Sequence, residues 1–224
     1  MICYQRAKVP TTCLPEGLVS EASFDAELDP AIEVDIWVEG QTVEAVVLSG
    51  MPTDFSADKT FDLNGQVLWP GMVDAHMHLD KAHTWNRAPN RRGEFWDAIE
   101  LLSADKENWS EEDVYQRASY TLECAWQHGV SAIRTHLDTS ADFGTGSHRV
   151  LQRLKAEWAD RIVIQTVCLC GIEEFVAPAY ADAMGNLLLE TGGDALGGMP
   201  IMSENLDLEL DAFPVYVKFA DVKL

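Results

Sequence analysis

The run VLWPGMVDAHMHL, from Val67 to Leu79, constrains this chain more than any other stretch: it is apolar and extended in character, and two histidines lie two positions apart near its end. Alternate side chains of a β-strand share a face, so His76 and His78 point the same way from one rigid backbone. Two neutral imidazoles so placed suit zinc or iron, and a catalytic site adds further ligands and an open position for water. A His-x-His pair alone is common at structural and surface positions, so its meaning rests on its surroundings.

Upstream, Ile32, Val34, Ile36 and Val38 alternate with Glu33, Asp35, Trp37 and Glu39, the two-residue period of a half-buried strand. Val43 to Leu48 and Thr60 to Leu63 read as further short strands, and Asn64-Gly65 as a turn. Downstream the period changes. Thr84 to Gly93 is a polar loop after the C-terminal end of a strand, where active-site loops collect, so Trp85, Arg87 and Asn90 are candidate substrate contacts. Glu94 to Leu102 can form a short helix. Ser110 with Glu111, Glu112 and Asp113 is a helix start; Val114, Ala118, Leu122, Ala125 and Trp126 recur at helical spacing until Gly129. Val130 to His136, Ile162 to Leu169 and Asp194 to Met199 read as strands, with helices over His148 to Trp158, capped by Ser147, Ala179 to Glu190 and from Leu206. Strands alternating with helices mean a parallel α/β architecture with right-handed crossovers. An eight-unit barrel usually needs about 250 residues, so the four units visible here do not close one.

The formal charge is -21, from 37 acids against 16 bases, which argues against nucleic acid and anionic membrane as partners, because both reward Lys and Arg. Five cysteines without a CxxC spacing, two of them (Cys168 and Cys170) on one strand face, fit reduced thiols in a cytoplasmic protein. No stretch of about 18 apolar residues occurs, and no basic region followed by an apolar core opens the chain.

The string PGMVDAHMHLDKAH, with TWNRAPN after it, resembles the opening of the barrel in the amidohydrolase superfamily, cytosine deaminase-like branch, and AIRTHLD (Ala132 to Asp138) resembles that branch's second strand. The resemblance implies an α/β fold: an incomplete (β/α) TIM-like barrel preceded by a small β-sandwich segment. Residues 1–66 would be the sandwich segment, 67–213 the first half of the barrel and 214–224 a divergent tail. It implies a divalent metal ion, zinc or iron, on His76 and His78, with His136 and Asp138 as catalytic strand-end residues. The substrate would be a small-molecule cyclic amide or amidine that is deaminated or otherwise hydrolysed at a C–N bond.

The family adds a third histidine, a late aspartate and a proton-shuttling glutamate, whereas no histidine follows His148, and the ending PVYVKFADVKL departs from the family's pattern. Where cytosine deaminases carry a glutamine after the third strand, this chain has Cys170, Gly171, Ile172, Glu173 and Glu174, so cytosine itself is not the expected substrate. The alternative expectation is a truncated, catalytically incomplete or non-catalytic interaction product, whose open sheet edges favour association as a homo-oligomer. A metal-dependent nuclease or phosphoesterase is a third reading, opposed by the negative charge.

Overall fold

The computed structural model describes residues 1–21, 30–139, 144–201 and 203–213 and divides into two compact units, Met1–Pro70 and Gly71–Leu224. The segment 214–224, read above as a divergent tail, lies outside the described residues.

The first unit is built on β1 (Ile2–Pro10), a short helix α1 (Glu16–Glu21), β2 (Ala31–Glu39), β3 (Thr42–Leu48) and β4 (Lys59–Asp62). The strands form one sheet in the order β3-β2-β1-β4, antiparallel except for the parallel β1–β4 pair. Strand β2 is more buried than its alternation suggests, because Asp35 and Trp37 are covered as well as Val34 and Ile36. A β-bulge in β1 explains Asp35: Arg6 adopts φ +53°, and its freed N–H donates to Asp35 Oδ1 at 2.8 Å, beside the Ser49 hydroxyl at 2.9 Å. The run from Val67 to Leu79 is divided: Leu68 N–H donates to the Lys8 carbonyl in the first unit, and the next strand begins at Met72.

The second unit alternates β5 (Met72–Met77), α2 (Phe95–Asp105), α3 (Glu111–Gln127), β6 (Val130–Asp138), α4 (Gly144–Glu157), β7 (Val163–Gly171), α5 (Pro178–Glu190), β8 (Ala195–Met199) and α6 (Leu206–Ala212). Its four strands form a wholly parallel sheet in chain order, the arrangement of half a barrel. The core lies between sheet and helices, where Leu79, Val114, Ala118, Leu122, Leu137, Leu151 and Leu154 are inaccessible to solvent. The α3 ends follow the sequence: Ser110 Oγ accepts from Asp113 N–H at 3.1 Å, and Gly129, at φ +83°, turns the chain. The Gly129 carbonyl then accepts from Met72 N–H at 2.9 Å, so the helix end also starts the β5–β6 pairing.

Helix α4 corrects the reading of Ser147 as a cap, since it begins three residues earlier, at Gly144. Ser147 precedes the buried Val150 and Leu151 by three and four residues and so shares their face, where it is buried with His148. His148 Nε2 lies 3.2 Å from Thr139 Oγ1. Among the described residues, no helix is long and apolar enough to cross a membrane, and all five cysteines are free thiols.

Two outcomes follow from this packing. Leu122→Ala, which empties a site with no solvent contact, is expected to lower unfolding free energy by about 2–5 kcal/mol in urea titrations, against little change for the exposed Tyr120→Ala. Burial, with Lys155 nearby, pulls His148 from 6.5 down to about 4. The unfolded chain therefore takes up this proton first as pH falls, so stability is whole above about 6.5 and is lost toward pH 4, by at most about 3 kcal/mol. Urea midpoints between pH 7 and 4 should show a shallower acid decline for His148→Gln.

Candidate active site

The geometry starts from an irregularity in β5. Asp74 pairs with Ile133 and Met77 with Thr135, three steps on one strand against two on its neighbour, so β5 carries one extra residue. A bulge of this kind re-aims the side chains beyond it. Met77 packs into the core on the helix side, which leaves His76 and His78, one residue to either side, on the opposite face with His136. The three rings gather there: His76 stacks on His136 with centroids 4.1 Å apart, and His78 lies 5.2 Å from His76 and 5.9 Å from His136.

Past Met77 the backbone ladder of β5 stops, and side chains take over its attachment to β6. His78 Nδ1 lies 2.8 Å from the His136 carbonyl, Leu79 N–H donates to Thr135 Oγ1 at 2.9 Å, and Asp80 Oδ2 accepts from Asp138 N–H at 2.8 Å. A carbonyl can only accept, so His78 carries its proton on Nδ1 and keeps the Nε2 lone pair free. Burial, then Lys81, holds His78 below its ordinary pKa, and burial with the neighbouring His76 does the same for His136. Both rings are thus neutral near pH 7. His136 Nδ1 is buried without a hydrogen-bond partner among the described residues.

A compact charge cluster sits at the same strand ends. Lys81 Nζ lies 2.5 Å from Asp138 Oδ1, and Lys106 Nζ lies 3.0 Å from Asp138 Oδ2. Burial raises the Asp138 carboxyl, but the two ammonium groups outweigh it and hold it below the usual carboxylate range. Asp80, fully buried and facing Asp138, is pushed up to about 6, chiefly by burial. The loop residues play distinct parts. Trp85 is exposed; Arg87 is engaged by Asp105 and Asp113; Asn90 Nδ2 donates to the Glu94 carbonyl at 2.9 Å and its Oδ1 accepts from Gly93 N–H at 3.0 Å. Asp80 and Lys81 lie inside the string PGMVDAHMHLDKAH, which by itself gives them no role. Lys106 and Arg117 carried no signal, because a lone cation on a helix looks like solvated surface.

His76 and His78 fit two positions of a metal's coordination shell, and the His78 Nδ1–H bond to a carbonyl is the support a ligating imidazole commonly has. Among the described residues, no set of three or more His, Cys, Asp or Glu side chains is disposed to hold a metal. Lys81→Met is expected to raise the Asp138 carboxyl pKa, read from its 13C resonance during a pH titration; an unmoved value would show that Lys106 alone sets it.

No protein-family model matches the chain. It is 37% identical over 151 residues to a pterin deaminase from Rhizobium rhizogenes, covering 67% of this chain and 34% of that one. It is 27% identical over 154 residues to an N-isopropylammelide isopropyl amidohydrolase from a Pseudomonas species, covering 64% of this chain and 37% of that one. The chain therefore spans about a third of the length of these relatives. Among solved structures, a 5-methylcytosine deaminase from Klebsiella pneumoniae, liganded with 5-fluorocytosine, superposes with a TM-score of 0.71 at 23% identity, covering 94% of this chain and 46% of that one.

Proposed function

We infer that this chain, whose relatives and structural neighbours are deaminases and hydrolases of the amidohydrolase superfamily, carries the part of such an enzyme that binds metal and faces substrate. The observation that supports this best is the pair His76 and His78, turned by the β5 bulge onto the face that carries His136, with the His78 tautomer fixed so that Nε2 is free. In this reading residues 67–213 are the first half of a (β/α) barrel and residues 1–66 the sandwich segment before it. A zinc or iron ion on the two imidazoles would supply the Lewis acidity that makes water a nucleophile at neutral pH.

The remaining roles belong to the chain's own groups. Neutral His136, stacked on His76, is placed to exchange a proton with a ring nitrogen or with water. Asp138, kept ionised by Lys81 and Lys106, offers a fixed negative charge rather than a proton, suited to orienting an amino or ring N–H group. Arg87 and Asn90 fold the loop that presents Trp85, whose face can cover a flat heterocycle. The substrate class is a cyclic amide or amidine whose C–N bond is hydrolysed, an amino-bearing amidine with release of ammonia, and reduced cysteines agree with a cytoplasmic setting.

A second reading, a catalytically incomplete or non-catalytic product, is favoured by the lack of a third metal donor among the described residues. Elemental analysis of the purified chain, with ammonia release from a panel of cyclic amidines, separates the two. About one zinc or iron per chain with turnover, both lost in His76→Ala and His78→Ala, is expected of the first. Metal retained in both variants refutes the ligand assignment. Neither metal nor turnover in the parent chain supports the second reading.

A further inference from the structure

The segment from His78 to Ala82 follows the last residue of β5 and is held by side chains, its own and those of other elements. Three of its attachments lead to β6. A further attachment comes from helix α3, where Arg117 Nη1 donates to the Asp80 carbonyl at 2.6 Å and to the Ala82 carbonyl at 2.9 Å. Carbonyls off the ladder and beneath the surface need a donor, and here one guanidinium supplies both. Arg117 is itself 9% exposed and tightly oriented: its Nε donates to Asp113 Oδ2 at 2.9 Å, and it lies 5.2 Å from the Trp109 ring.

The grip extends outward in alternating charge. Asp113 also receives Arg87 Nη1 and Nη2 at 2.7 and 2.9 Å; Arg87 Nε reaches Asp105 at 2.7 Å; and Asp105 accepts from Trp109 Nε1 at 2.8 Å. The loop bearing Trp85, the start of α3 and the segment after His78 are thereby joined through one strut. The guanidinium serves the two carbonyls through Nη1 and the carboxylate through Nε, donors held apart in one rigid plane that a lysine's single ammonium nitrogen does not reproduce.

We propose that Arg117 is a positioning residue for His78: by gripping the Asp80 and Ala82 carbonyls from α3, it keeps the segment against β6 and so holds His78 as the Nδ1–H tautomer with Nε2 presented to the site. The functional meaning rests on the reading of His78 as a metal ligand, but the positioning itself is a property of the chain without metal.

The test is imidazole 15N NMR on the whole metal-free chain, with amide hydrogen exchange, for the parent, Arg117→Lys, Arg117→Met and Arg87→Met. The parent should show His78 protonated at Nδ1 alone. In folded Arg117 variants that single-tautomer signal should be lost to a mixture. The amides of Leu79 and Asp138 should lose protection by about tenfold or more while those of β7 keep theirs, the pattern of local opening. Arg87→Met should lie between parent and Arg117 variants. A His78 spectrum unchanged in folded Arg117 variants overturns the proposal, as does a parent chain lacking the Nδ1–H tautomer. Unfolding of both Arg117 variants also overturns it, because Arg117 would then serve global stability. If elemental analysis finds no metal, the ligand reading fails, whereas the tautomer result stands or falls separately.

Discussion

The second unit depends on the parallel pairing of β5 with β6, and that pairing is not regular. One extra residue between Asp74 and Met77 sets which side chains after it meet the helices and which meet the open face. With it, Met77 enters the core and His76 and His78 join His136; in an unbroken ladder the two sets could not both be accommodated from the register at Asp74 and Ile133. The bulge is thus the point at which packing and site geometry are settled together.

Stability and chemistry are supplied by different layers of the same elements. On β6 the helix side buries Ile133 and Leu137 and the other side carries Arg134, His136 and Asp138; on β7 the helix side buries Ile164 and Cys168, and the other side carries Gln165 next to the buried Val167. Period-two alternation makes this division automatic, because each strand presents one face to each task. The ionised cluster of Lys81, Lys106 and Asp138 sits at the strand ends, partly open to water, where the desolvation of two cations and an anion is affordable.

Much of this was legible in the sequence. Helix α3 was marked at both ends, by Ser110 and Gly129, and by its apolar stripe, so its limits agree with the structure within a residue or two. The strands β6, β7 and β8 were bounded by turns and short apolar runs in the same way. The start of α4 was not, because glycines and a serine before a helix read as a cap, and only the buried Val150 and Leu151 one turn later draw Ser147 inside. At the site, the histidines were visible as a pattern, whereas the bulge was not: a register shift is a relation between two strands and leaves no mark in either alone. The strut from Arg87 to Arg117 was hidden for a related reason, since its members lie on a loop and two helices and meet only after the chain has folded.

The attachment of residues 78–82 has a further consequence. In a regular ladder the bonds are made by the peptide backbone, and almost any residue other than proline can occupy a rung. Here His78, Thr135, Asp80 and Arg117 replace the backbone as donors and acceptors, so each bond is tied to one chemical identity. Substitution tolerance should therefore drop abruptly at the end of β5. The short string HLDK is dense in information because, just there, side chains have taken over the work that the main chain does elsewhere.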